Sequence, residues 1–156
     1  MRERLERSKN NKTEIVVQRG NQEGKEYYEF PGSLIKEFES FFDALKHGIK
    51  EETGLDIIEI TGQENNIISD NNSDFTVECF RPYSVYQTVK GAFYSMGAHF
   101  KCKAEGELLS EGCAGKNIEL ISLDELEDLV ADKLFSNIDE GAAMLYLLEK
   151  SDTYLE

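Results

Sequence analysis

The chain has 156 residues, 40% apolar and 31% charged, which suits one soluble domain with a real core. Its 31 acidic and 17 basic residues leave a net charge of −14. That balance argues against nucleic-acid backbones and anionic membrane surfaces, both of which are held by clustered Lys and Arg. No apolar run approaches the roughly 18 residues of a spanning helix, and no signal-peptide pattern opens the chain, so a cytoplasmic location is expected. Cys79, Cys102 and Cys113 are odd in number and lack C-x-x-C spacing; they read as free structural thiols.

Met1 to Lys12 is polar and locally basic, with Arg2, Arg4, Arg7, Lys9 and Lys12, and reads as a frayed or atypical first strand. Thr13 to Gln18 (TEIVVQ) has strand composition, and Arg19-Gly20-Asn21 opens a loop ending near Glu26. Tyr27 to Phe30 is extended, and Pro31-Gly32-Ser33 is a turn signal. A helix follows from about Ser40 to Thr53. Ser40 is a good N-cap with Asp43 three residues on, and Gly54 stands where a left-handed residue stops the last turn. Phe41, Ala44, Leu45, Gly48 and Ile49 recur at steps of three and four, which predicts an inward face. Glu51 and Glu52 lie near the negative end of the helix dipole, an unfavourable place for carboxylates. Taken alone, the pair reads as solvated surface beside Lys46 and Lys50, or as ligands of a divalent cation.

Beyond the helix, strands are predicted over Asp56 to Ile60, Asn66 to Ser69, Phe75 to Phe80 and Tyr83 to Gln87, with a turn cluster at Asp70 to Asp74. Ala92 to Cys102 is the clearest strand, with His99 on the face opposite Ala98 and Phe100; that histidine is either hydrogen-bonded structure or a cleft residue. Lys103 to Lys116 reads as a loop. Its Gly115-Lys116 is no phosphate-binding motif, because Ser110 stands at the required glycine and no Ser or Thr follows the lysine. Asn117 to Ile121 forms a strand, Ser122 and Glu125 a capping box, and Asp139 to Lys150 a closing helix that packs through Ala142, Ala143, Leu145, Tyr146 and Leu148. Without repeats or linkers, residues 1–156 are expected to be a single α+β domain with a mixed sheet between helices.

Ser33 to Leu55 resembles the signature of the Nudix hydrolases, G-x5-E-x7-R-E-U-x-E-E-x-G-U with U aliphatic. Glu39, Ile49, Glu51, Glu52, Gly54 and Leu55 match, six of nine fixed positions over 23 residues. The departures are Ser33 at the opening glycine, His47 at the arginine and Gly48 at the first glutamate. The resemblance covers about Thr13 to Val130 and is loose outside the box. It implies an α/β/α sandwich and metal-assisted hydrolysis of a nucleoside diphosphate linked to another group. Mg²⁺, or Mn²⁺, would sit on Glu51 and Glu52, with Glu39 assisting and Arg19 near the mouth as a substrate-binding residue. His47, one turn before Glu51, is a substitute ligand candidate, and Glu105, Glu107, Glu111 or Glu119 could supply a further carboxylate.

The loss of the arginine and one glutamate at His47-Gly48 predicts a weakened enzyme. The alternative is a catalytically inactive Nudix-fold nucleotide-binding or regulatory protein. The expected partner is a small nucleotide, with no nucleic acid and no membrane; assembly as a homodimer stays open. Glycine inside a helix costs roughly 1 kcal/mol against alanine, so the sequence alone expects Gly48→Ala to stabilise if space allows.

Overall fold

The computed structural model describes residues 2–9, 12–62, 67–70, 74–112 and 115–153. In chain order the elements are β1 (Arg2–Lys9), β2 (Lys12–Gln22), β3 (Lys25–Glu29), α1 (Phe41–Thr53), β4 (Asp56–Ile60), β5 (Ile67–Asp70), β6 (Thr76–Cys79), β7 (Ser84–Gln87), β8 (Met96–Glu105), β9 (Asn117–Ile121), α2 (Leu123–Ala131) and α3 (Glu140–Thr153). Seven strands form one sheet in the order β3-β2-β1-β8-β4, with β7 beside β8 and β9 beside β2; β5 and β6 make a separate hairpin. The sheet is mixed, because β1 runs parallel to β8 while its other pairs are antiparallel.

Alternation along β2 splits the core into two layers. Val16 faces α1 and packs with Leu45, Ile49, Leu55 and Phe100. Ile15 and Val17 face the other way, against Leu126 of α2 and Ala142, Ala143 and Tyr146 of α3. Helices therefore cover both faces of the sheet, the α+β sandwich expected.

Five expectations need correcting, the first being the loop from Arg19 to Glu26, where β2 runs on to Gln22 and pairs with β3 from Lys25. The first strand is not frayed: Arg2–Lys9 pairs with β2 on one side and β8 on the other. Backbone pairing from two neighbours places this polar stretch in mid-sheet, something side-chain periodicity could not signal. The predicted Ala92–Cys102 strand begins later, at Met96, and runs on to Glu105, where pairing with β4 extends it. In α1 it is Phe42 that is fully buried, while Phe41 is half-buried. Leu145 and Leu148 of α3 point outward, 49% and 60% exposed, so that helix seals the sheet through Ala142, Ala143 and Tyr146. Cys113 and part of the Asp70–Asp74 turn lie outside the described residues.

His99 proves to be structure. It is buried on β8 within hydrogen-bond distance of Asp139, Nε2 to Oδ1 2.9 Å, and of Ser84, Nδ1 to Oγ 3.2 Å. The other oxygen of Asp139 accepts the backbone N–H of Phe30 at 2.9 Å. One buried carboxylate thus joins the start of α3, the centre of β8 and the exit of β3. Removing it leaves two buried donors without an acceptor, which costs about 1–3 kcal/mol for each such group. Asp139→Ala should lower stability by about 3 kcal/mol, read as a shift in the urea midpoint at unchanged slope.

Candidate functional site

The site is built on α1 and the loop before it. Ser40 caps the helix as predicted, accepting from the N–H of Asp43 at 3.3 Å, and Gly54 ends it in the left-handed conformation with φ +82°. Glu78 of β6 completes the N-terminus by accepting from Ser40 Oγ at 2.8 Å and from the N–H of Phe41 at 2.9 Å. The helix is held at both ends, so Glu51 and Glu52 have fixed positions at its last turn.

These two carboxylates look in different directions. Glu52 is partly buried, and its Oε2 accepts from the N–H of Gly32 at 3.0 Å and from Gln18 Nε2 at 3.2 Å. Burial raises its pKa above the ordinary glutamate value and the nearby Glu29 adds to this, while Gly32, Lys116 and Gln18 oppose it. Glu51 is largely exposed and lies 3.0 Å from His47 Nε2, one helical turn back. Glu29, at the end of β3 opposite Gln18, is buried and pairs with Lys116, which immediately precedes β9. Gln18, Glu29, Glu51, Glu52 and Lys116, together with Gly32, Ser33, Gly48, Tyr86 and Phe93, line a cleft of about 500 Å³.

That donor set does not fit a divalent cation. Hard cations need several oxygen donors converging on one point. Here Glu29 is engaged by an ammonium, Glu52 by two N–H donors and Glu51 by imidazole. Among the described residues, no group of three or more His, Cys, Asp or Glu is arranged to hold a metal ion.

Glycine at position 48 has a steric cause. An ideal Cβ there would lie 2.5 Å from Ser33 Cβ and 3.0 Å from Ser33 Oγ. The single hydroxyl proton of Ser33 has two carbonyls within reach, Ala44 at 3.3 Å and Leu34 at 3.4 Å. Ser33 thus occupies the space that a side chain at position 48 would need. The space that a stabilising Gly48→Ala requires is absent, and helix propensity cannot offset a Cβ overlap with Ser33.

The other predicted residues lie elsewhere. Glu39 turns back on its own loop, accepting from the N–H of Lys36 at 2.9 Å, and does not line the cleft. Arg19 lies 3.2 Å from Glu119 and 3.8 Å from Glu26; these carboxylates, Glu119 foremost, raise its pKa. It is adjacent to Gln18 on β2, so its side chain leaves the opposite face of the sheet. Glu105, Glu107 and Glu111 are exposed and do not line the cleft. Sequence reading overlooked Gln18, Glu29 and Lys116. Only alternation of Gln18 with Ile15 and Val17 hinted at one of them; the other two meet through contacts 87 residues apart.

No protein-family model matches the chain, and no curated protein matches it. Solved structures do. The NUDIX domain of Shewanella oneidensis NrtR, complexed with ADP ribose, superposes at a TM-score of 0.61 with 14% identity over 99% of this chain and 86% of that one. The fold is the Nudix fold. MutT from Bacillus halodurans gives 0.57 at 18% identity, over 93% and 80% of the two chains. A C. elegans Ap4A hydrolase gives 0.50 at 14% identity, over 98% and 95%. At these identities the Nudix likeness speaks to architecture, and the chemistry rests on the cleft itself.

Two predictions follow from the cleft geometry. Gly48→Ala should destabilise by about 1–3 kcal/mol, the usual cost of overpacking, and Ser33→Gly in the same chain should recover most of that loss in a double-mutant cycle of urea midpoints. Glu52 is the other. A carboxyl with a raised folded pKa favours the protonated form, so its contribution is intact below the ordinary glutamate value and is lost as pH rises through the raised one. Glu52→Gln keeps an acceptor oxygen for Gly32 and Gln18 and should raise Tm at pH 7. The gain should disappear in melts recorded below the ordinary glutamate value.

Proposed function

We propose that this Nudix-fold protein binds a nucleoside diphosphate derivative in the Glu29–Glu52–Lys116 cleft and has lost metal-dependent hydrolysis of it. The observation that carries this reading is the Ser33–Gly48 contact: position 48 has no room for the carboxylate that the Nudix box places there. The resemblance assigns the box carboxylates to divalent metal, and the set present does not converge on one point, so no hydrolytic step is assigned to them.

The cleft suits the proposed ligand. Its volume of about 500 Å³ lies within the range of small-molecule sites. Tyr86 and Phe93 line it and offer ring faces for a base, Phe93 being 66% exposed. The Lys116 ammonium, which lines the cleft, places a positive charge where a ligand's phosphate oxygens can meet it. Glu51, exposed at the rim, can accept from ribose hydroxyls. The Shewanella NrtR domain, bound to ADP ribose, supports a ligand of this class. The net charge of −14 favours a small ligand over a nucleic acid.

A second reading, a weakened pyrophosphohydrolase, is favoured by one observation. Glu29, Glu51 and Glu52 all line the same cleft, so a third carboxylate reaches it from β3. A substrate panel separates the two. ADP-ribose should raise the Tm of the natural chain, while hydrolysis of ADP-ribose and nucleoside triphosphates with Mg²⁺ or Mn²⁺ should be absent. Ser33→Gly with His47→Arg and Gly48→Glu is the smallest set that rebuilds the box, and it should raise turnover at least roughly tenfold. Omitting Ser33→Gly should give an unstable chain. Metal-dependent turnover by the natural protein, lower by roughly two to four powers of ten than in an intact enzyme, would establish the second reading.

A further inference from the structure

We propose that the Lys116 ammonium is the resident cation of this cleft, so that an anionic ligand is met by lysine and no metal is required. The inference rests on the binding reading above and deepens it. Glu29 is only 5% exposed, and a carboxylate in that position needs a fixed counter-charge. Lys116 supplies it through the Glu29–Lys116 ion pair.

The lysine is delivered by backbone as well as by attraction. Its carbonyl accepts from the N–H of Gly112 at 3.0 Å, closing the loop, and the next residue begins β9, which is hydrogen-bonded to β2 beside Gln18. Lys116, Glu29 and Glu52 line the same cleft, so one ammonium faces both inward carboxylates. A divalent ion on the same oxygens would sit within a few ångströms of that ammonium, and the repulsion would be felt in a partly desolvated site. The rejected Gly115-Lys116 motif finds its use here as a counter-ion instead of a P-loop lysine.

The test uses the full chain and metal alone, with Mn²⁺ binding read by calorimetry and by water-proton relaxation. The natural protein should show no saturable Mn²⁺ site at low millimolar metal. Lys116→Gln keeps a donor for Glu29 but removes the charge, and should gain Mn²⁺ affinity by roughly tenfold or more. Lys116→Arg keeps the charge and should not, and Lys116→Gln with Glu29→Gln should lose the gain. A tight Mn²⁺ site in the natural chain would overturn the proposal, as would a folded Lys116→Gln variant, verified by circular dichroism, with no gain. A second arm needs no variant: the Tm increase given by ADP-ribose should be the same with EDTA or Mg²⁺, and a shift abolished by EDTA also overturns the proposal. Absence of any ADP-ribose shift would instead remove the binding reading, leaving the Mn²⁺ comparison to decide the role of Lys116.

Discussion

The buried carboxylate of Asp139 is the constraint on which the site depends. It is fully inaccessible and reaches the N–H of Phe30 and the ring of His99, residues far apart in sequence. Phe30 is where β3 ends and the Pro31-Gly32 loop begins, so this contact sets the direction of the loop as it leaves the sheet. Two residues further on, Gly32 donates to Glu52 and Ser33 packs against Gly48. The position of the cleft floor is therefore fixed by a group on the other side of the sheet. The energetic reason is that a buried charge must have every lone pair answered, which makes the contact hard to give up.

The neighbours of the cleft carboxylates are specific. Ser33 packs against Gly48, Lys116 pairs with Glu29, and His47 sits beside Glu51. In an acidic chain, an internal cation is a direct way to keep inward carboxylates from repelling one another.

The two faces of the sheet divide the labour. On the α1 side, Gln18, Glu29 and Glu52 meet in the cleft. On the other side, Arg19 is held by Glu119 and Glu26, and Lys101 by Glu149, surface pairs whose net contribution to stability is small. Arg19 and Gln18 are neighbours in sequence, yet one is a peripheral ion-pair residue and the other lines the site. Strand alternation alone separates them.

The sequence by itself determined the elements with local causes. Ser40, Gly54, and the Ser122–Glu125 box mark helix ends through hydrogen bonds that span only a few residues, and all lie where predicted. The Nudix box likewise is local, and it led to the correct architecture. Tertiary structure decided the rest. The mid-sheet place of Arg2–Lys9 depends on strands up to a hundred residues away, and backbone pairing leaves little trace in side-chain pattern. The Glu29–Lys116 pair and the Ser33–Gly48 contact involve residues whose types are unremarkable until the chain folds them together. Gly48 shows the difference most clearly: its helix propensity is a property of one residue, whereas the volume available to it belongs to its neighbour.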